Sequence, residues 1–450
     1  MRTIIVGVGK VGYALAASLC AEGHDVTAID QNRRRLDTLD EHLNVNTIEG
    51  NAARTDVLKQ ADIDNADLVI AVTEHDELNM VTAFIAKNAG AQSTIARVRN
   101  PAYSDFDDSA RMGALGLDML INPEKVTAKE IAKLISYPEA HYVGFFGDGD
   151  LLMLELKLPA NCPVLEQPLM ELKFPHPCIV AAIQRGDQLL IPKGMDCLRA
   201  GDEVLVLANT KEMREIEAFL GIQGNRSRNI SIFGGGLCGY YLADRLSHSS
   251  QHRQVKIFEP DLKRCEELDR ILDHTLVFNS SSTDVALYND ENVGEADVFV
   301  AVSDDDKENL FACVLAKNLG AKKVICQIRG SEYAHIVEKV GLDRVVSPSR
   351  FTADAILRFI NRNYILSLTR FDDTQGQIAE YSIPEHAPCI GKPLMHLGFP
   401  AGALVCMINR GDQHIIAQGR DAIQAGDSVL VFSLPEALRK VEILLTGEGK

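Results

Sequence analysis

Two glycine-rich runs carry residue types and a spacing suited to holding phosphate. The first is Gly7-Val8-Gly9-Lys10-Val11-Gly12, with Asp30 eighteen residues beyond it. The second is Gly234-Gly235-Gly236-Leu237-Cys238-Gly239, with Glu259 twenty residues beyond. In such a run Gly7 permits a tight turn, and Gly9 lets a pyrophosphate approach backbone N–H groups at a helix N-terminus. Gly12 allows close helix–strand packing. The distant acid accepts ribose hydroxyls and repels a 2′-phosphate, which favours NAD(H) or an adenosine nucleotide over NADP(H). Arg33, Arg34 and Arg35 soften that preference in the first half, although a solvated helix face is their expected place.

The context around each run fits. Thr3–Val6 and Ile230–Phe233 read as strands, and Ala14, Leu15, Leu19 and Cys20 have helical spacing. Val26–Ile29 is a short apolar strand, and Asn44–Ile48 and Leu276–Phe278 are third strands. Asp67–Thr73 and Asp297–Ser303 are nearly continuous apolar runs, as a strand buried on both faces requires. Helices at Glu77–Asn88 and Lys307–Asn318 follow, then strands at Thr94–Val98 and Lys323–Ile328. Strand alternating with helix at this spacing predicts a doubly wound parallel sheet, twice over.

The repeat continues past these sheets. Pro163–Leu207 aligns without a gap to Pro388–Phe432, and 22 of the 45 positions are identical. Short apolar runs between turns, each closed by a helix (Lys211–Leu220 and Pro435–Leu444), predict a small α+β lobe after each sheet. Arg185-Gly186-Asp187-Gln188 reads as a hairpin turn between two such runs, and Gln223–Asn229 as a hinge between the halves. A dehydrogenase needs one dinucleotide site and a dissimilar catalytic domain. Duplicating the site together with its companion lobe favours a ligand sensor. The halves also differ: Gly50-Asn51 becomes Asn279-Ser280, and Arg97 becomes Gln327, so the two sites should differ in affinity or ligand.

Bulk properties narrow the classes. A chain of 450 residues allows three or four domains. The net charge of −17 argues against a nucleic-acid partner and against adsorption to anionic lipid. No stretch approaches the roughly 20 apolar residues that span a bilayer. The start, Met1-Arg2 followed at once by a strand, leaves no room for a secretory signal. Ten cysteines without a C-x-x-C pair are expected to be small buried hydrophobes in a reducing compartment. The histidines form no ligand set; His248 and His252 are separated by loop-like Ser-Ser-Gln, so no metal is expected.

On these features the chain resembles the RCK (regulator of potassium conductance) family over essentially its whole length, as two RCK units in tandem. The resemblance rests on the doubled glycine runs and on Ala71-Val72-Thr73-Glu74-His75-Asp76-Glu77-Leu78-Asn79. It rests equally on the echo Ala301-Val302-Ser303-Asp304-Asp305-Asp306-Lys307-Glu308-Asn309, on Ile95–Arg99, on Leu120–Glu124 and on both small lobes. It implies Rossmann-like nucleotide-binding domains at 1–137 and 228–362 and C-lobes at 138–222 and 363–450. By resemblance Gly7, Val8, Gly9, Lys10, Val11, Gly12, Asp30, Thr73, Glu74 and Arg97 hold the first nucleotide. Asn51 joins them, although an acidic residue is common there in the family. The second set is Gly234, Gly235, Gly236, Leu237, Cys238, Gly239, Glu259, Ser280 and Ser303.

The resemblance further implies NAD(H) as ligand, with ATP or ADP as alternatives at one or both sites. It implies a homo-oligomer, most simply a tetramer supplying eight units, on the cytoplasmic face of the membrane beneath a potassium transporter subunit. That reading is a regulatory, non-catalytic protein. Regulation of another ion carrier remains open at this point. So does an NAD-dependent oxidoreductase, which would need an acid–base residue facing the nicotinamide and a substrate cavity.

Overall fold

The computed structural model describes residues 1–21, 23–104, 116–186, 188–222, 224, 227–248, 253–330, 340–360, 365–370, 376–411 and 413–447. The chain divides into two compact units, each assembled from both halves of the sequence. One comprises Met1–Ala132 and Ser227–Ile356, the other Lys133–Arg226 and Leu357–Lys450.

The first unit holds two six-stranded parallel sheets. Strands β1 (Arg2–Val6), β2 (Asp25–Asp30), β3 (Asn46–Glu49), β4 (Leu68–Ala71), β5 (Ser93–Arg97) and β6 (Met119–Ile121) lie in the order β3-β2-β1-β4-β5-β6. The core strand β4 is buried at every residue, because helices cover both faces of a doubly wound sheet. The order in which strands are added reverses between the parallel neighbours β1 and β4, and the crevice that opens at their C-terminal ends is where ligands bind in this architecture. The helix Asp76–Ala89 ends at Gly90, whose φ of 114° closes the helix with backbone that a side chain would resist.

The smaller lobes occupy the second unit. Here β7 (Ala140–Phe146), β8 (Leu151–Lys157), β9 (Cys178–Arg185), β10 (Gln188–Leu190) and β11 (Glu203–Asn209) form an antiparallel sheet, β10-β9-β11-β8-β7. Gly186 (φ 57°) turns β9 into β10 as the hairpin reading expects, although Asp187 lies outside the described residues. Arg185 is committed to structure: its guanidinium makes a two-pronged ion pair with Asp202, whose side chain is 2% exposed.

The second half repeats both patterns. Strands β12 (Asn229–Phe233), β13 (Gln254–Glu259), β14 (Thr275–Asn279), β15 (Val298–Ala301), β16 (Val324–Gln327) and β17 (Arg344–Val346) run β14-β13-β12-β15-β16-β17. The last sheet is β18 (Ile365–Arg370), β19 (Gln377–Ser382), β20 (Ala403–Arg410), β21 (Gln413–Ile416) and β22 (Ser428–Ser433), ordered β18-β19-β22-β20-β21. Read backwards, that order is the topology of the first small lobe. Arg410 and Asp427 repeat the buried ion pair.

The small lobes share a core that the sequence reading does not foresee. Along β11, Val204, Val206 and Ala208 face their own lobe, while Leu205 and Leu207 join Leu430, Phe432, Cys406 and Met407 of the other. An antiparallel strand with one wet face would alternate apolar and polar residues; an unbroken apolar run signals that both faces are covered. The boundary between the two units falls between Arg226 and Ser227, within the segment 223–229 read as a hinge; of it, Gln223, Asn225 and Arg226 lie outside the described residues. All ten cysteines are unbridged, and seven are buried. Among the described residues no helix is long and apolar enough to cross a membrane.

Candidate nucleotide-binding sites

The three glycines of each loop have three separate reasons to lack a side chain. Gly7 has φ 95°, and a Cβ there would lie 2.8 Å from the Thr73 backbone nitrogen. A Cβ on Gly12 would sit 1.9 Å from the Gly7 carbonyl oxygen, so the helix Lys10–Ala21 could not close onto the turn. Gly9 meets nothing within 4 Å: its missing side chain leaves open space, as a loop that receives a ligand needs. Gly234 (φ 100°), Gly239 and Gly236 repeat these roles, with approaches of 2.6 Å to the Ser303 nitrogen and 2.0 Å to the Gly234 oxygen at the first two.

Each acid braces its loop. Asp30 accepts from the N–H groups of Val8 (2.7 Å) and Asn32 (2.8 Å). Glu259 accepts from Gly235 (2.6 Å) and Asp261 (2.8 Å). Every carboxylate oxygen keeps further lone-pair capacity for a ribose hydroxyl. Opposite the loop, a buried asparagine orders the end of β4. Asn79 accepts from the Thr73 N–H (2.9 Å) and hydroxyl (2.7 Å) and donates to the carbonyls of Thr73 (3.1 Å) and Arg97 (2.9 Å). Asn309 accepts from the Ser303 N–H and donates to the carbonyls of Ser303 and Gln327 in the same way, without the hydroxyl contact. Neither was singled out as a site residue, although Asn at matched places in both echoing segments was the available signal.

Arg97 and Gln327 share one bond and differ in everything else. Arg97 donates to the Thr73 carbonyl at 2.9 Å and lines the open cavity, with its Nε lacking a partner. Burial pulls its guanidinium below the ordinary arginine range. Gln327 donates to the Ser303 carbonyl at 3.2 Å and is 1% exposed. The shorter residue keeps the structural bond and gives up the charge.

The crevice at the first loop is a cavity of about 890 Å³. Gly7, Gly9, Lys10, Val11, Asp30, Thr73, Glu74 and Arg97 all line it. Val8 and Gly12 are buried behind the loop, and Asn51 is turned aside to cap the Ala53 N–H at 2.9 Å, so these three lie outside the lining. Arg33 and Arg35 are exposed, as a solvated helix face requires, and they have a second place besides. Both line the cavity, and Arg35 stands 3.9 Å from Asp30 and 3.8 Å from Glu74. With Lys10, Arg97, Arg99 and Arg329 they make six basic side chains against three carboxylates, Asp30, Glu74 and Glu124. A locally cationic crevice in a chain of net charge −17 is a site built for a polyanion.

Arg329, Pro348 and Ser349 come from the second half, a contribution that sequence reasoning missed. The signal was only that Arg329 ends a segment matching Ile95–Arg99. The two halves of this unit also meet through helices, where Lys125 of the helix Pro123–Ser136 lies 5.4 Å from the ring centroid of Tyr241 in the helix Leu237–Ser247. In the second loop Arg264, the counterpart of Arg35, donates to the Gly235 carbonyl at 2.8 Å. Leu237 is half-buried, while Cys238 is buried, its thiol pushed up to about 12 by desolvation, with smaller effects from Glu124, Arg329 and Asp304. Ser280 is buried with its hydroxyl on the Ser281 carbonyl, and the Ser303 hydroxyl donates to Asp305. Among the described residues no group of three or more His, Cys, Asp or Glu converges as metal ligands; His252 lies outside them.

Comparison with known proteins agrees with this doubled construction. The TrkA-N domain matches residues 3–123 and 230–348, and the TrkA-C domain matches 153–221 and 378–445. The chain is 37% identical to Trk system potassium uptake protein TrkA homolog 1 of Methanosarcina mazei, covering 98% of this chain and 99% of that one. It is 33% identical to Trk system potassium uptake protein TrkA of Halomonas elongata, covering 99% and 98%. Among solved structures, the GsuK RCK domain matches with TM-score 0.62 at 14% identity, covering 99% of this chain and 95% of that one. The GsuK channel bound to NAD matches with the same score, covering 99% and 79%. Those structures support the tandem RCK fold, and the full-length matches establish that the chain belongs to the TrkA family.

Proposed function

We propose that this chain is a nucleotide-sensing regulatory subunit that gates a membrane potassium-uptake transporter. The observation that carries the reading is the first crevice, where an open glycine, a loop-bracing acid and an excess of basic side chains converge. NAD(H), ATP and ADP all present the phosphates this crevice suits, and a relative of the same fold is the GsuK channel bound to NAD. A nucleotide moves the transporter only through unequal affinity for two conformations; a ratio of about 100 is worth roughly 2.7 kcal/mol. Several coupled units make that bias decisive. We therefore read the protein as a homotetramer of eight RCK units, held at the cytoplasmic face of the membrane by its transporter, and as a non-catalytic one.

The test is reconstitution. Potassium flux through a Trk-type transporter in liposomes should respond to NADH or ATP only when this chain is present, and Gly9→Val should abolish the response. Flux indifferent to the chain, or steady NADH consumption with any hydride acceptor, would overturn the proposal. Light scattering should give about four times the 49.3 kDa of one chain.

A further inference from the structure

The two parallel sheets differ at one edge as well as at their loops. β14 is the edge strand of the second sheet, paired with β13 alone among the described residues. Around it four large apolar side chains are exposed. Leu262 (59%) and Ile271 (52%) stand at the two ends of the helix Leu262–Ile271. Leu276 (48%) lies on β14, and Val285 (45%) opens the helix Val285–Asp290. The first half matches these elements one for one and has Arg33, His42, Asn46 and Thr55 in the same places. The register fixes the strand position: Asn46 lies beside Thr27 of β2 as Leu276 lies beside Lys256 of β13. Charge shifts along with polarity. Residues 261–291 hold eight acidic side chains against three basic ones, whereas 32–61 hold five of each. Two of the three basic residues are already engaged, Arg264 by the Gly235 carbonyl and Glu267, and Arg270 by Glu266. Asp269, Asp273 and Asp290 are exposed. A sheet edge presents unpaired N–H and C=O groups, and proteins blunt it with polar or charged side chains, as the first half does. The second half leaves its edge apolar inside an acidic rim, the mark of a surface that receives a partner.

We propose that the β14 edge docks an extended, basic and apolar cytoplasmic segment of the membrane partner, which adds as a further strand beside β14. This rests on the reading that the chain regulates a membrane transporter. Cytoplasmic loops of integral membrane proteins carry an excess of Lys and Arg, the complement of this rim. Side chains of an added strand alternate between the two faces of the sheet. The helices before and after β14 cover opposite faces, because both crossovers are right-handed and run opposite ways along the strand order. One segment therefore meets Ile271 on one face and Leu276 with Val285 on the other, while its Lys or Arg residues face Asp269, Asp273 and Asp290. An identical copy is the poorer occupant, since a symmetric contact would set the acidic rim against itself.

The experiment measures binding of the full-length chain to a Trk-type transporter held in lipid nanodiscs, at low and at high salt. Leu276→Asn combined with Val285→Thr, which copies the first half, should weaken binding about ten-fold at both. Asp269→Lys combined with Asp273→Lys should weaken it about ten-fold at low salt and by less at high salt, where the charges are screened. All four positions are exposed, so both double variants should fold, with first-site nucleotide affinity and light-scattering mass unchanged. Unchanged transporter affinity in either folded variant would overturn the inference and leave the gating reading intact. A lowered mass would do the same by assigning the edge to a second copy of the chain. A native chain that fails to bind the transporter would overturn the gating reading and the inference together.

Discussion

The two Rossmann-like halves keep the same scaffold and part company at the site. Both place a positive-φ glycine against the second residue after β4 or β15, both brace the loop with an acid, and both order the opposite wall with a buried Asn. The first half then spends side chains on charge: Arg35 and Arg97 line an open crevice. The second turns Arg264 onto its own loop and buries Gln327. It spends side chains instead on a heavier core. Phe233, Phe258, Tyr288 and Phe299 stand where the first half has Val6, Ile29, Leu58 and Val69, with ring centroids 5.0 and 5.9 Å apart along Phe258–Tyr288–Phe299. Repeated structural constraints are met by repeated residues, whereas ligand constraints are free to diverge once two copies exist.

The glycine that faces open space offers the largest test of that comparison. Gly9→Val should abolish nucleotide binding at the first site, by more than about 100-fold or 2.7 kcal/mol, with the melting temperature unchanged. Gly12→Val, by contrast, should fail to fold, since its Cβ would overlap the Gly7 carbonyl. Binding unchanged in a folded Gly9→Val chain would place the ligand elsewhere.

The charge difference comes next. Arg97→Gln should weaken the first site by about ten- to a hundred-fold, the loss of a charge-assisted contact of roughly 1.5–3 kcal/mol. Gln327→Arg should strengthen the second. Site-resolved titration with NADH and ATP, each in the opposite loop's Gly→Val background, measures both. A native second site binding as tightly as the first would break the asymmetry.

The shared scaffold predicts equal effects. Asn79→Ala and Asn309→Ala each strand buried backbone groups and should each cost about 2 kcal/mol of stability by denaturant unfolding. A loss confined to one half would show that the two walls are not equivalent.

The smallest effect contrasts the small lobes. Glu217 is 3% exposed, and burial raises its carboxyl to about 7, whereas its counterpart Glu442 is only half-buried. Because the folded pKa lies above the unfolded value, the folded state binds the extra proton. Stability therefore falls as pH rises from about 4.5 to 7 and stays lowered above that. Glu217→Gln should recover about 1 kcal/mol at pH 8, a fraction of the roughly 3 kcal/mol the shift represents, because a buried amide still costs desolvation. The gain should vanish below pH 4.5, and Glu442→Gln should show none. A pH-independent gain would mean that packing, not charge, limits stability there.

The residues by themselves determined the doubled parallel sheets, the hairpin at Gly186 and the positions of both loops. These follow from local rules: a buried strand must be apolar throughout, a tight turn needs Gly7 or Gly234, and a helix stops at Gly90 or Gly320. Local rules do not say which surfaces meet. The run Val204–Ala208 declared two buried faces without naming what covers the second, and only the folded chain shows Leu430 and Phe432 there. Arg33 and Arg35 lie on the solvated helix face that the sequence predicts, and they line the crevice as well. Their place in the crevice depends on where the helix Arg33–His42 comes to rest against β2. Arg329 lies more than two hundred residues from Gly9, and no periodicity links them. Spacing encodes what a segment does to itself, but bringing Arg329 to the first crevice required two Rossmann-like lobes of one chain to pack as a single unit.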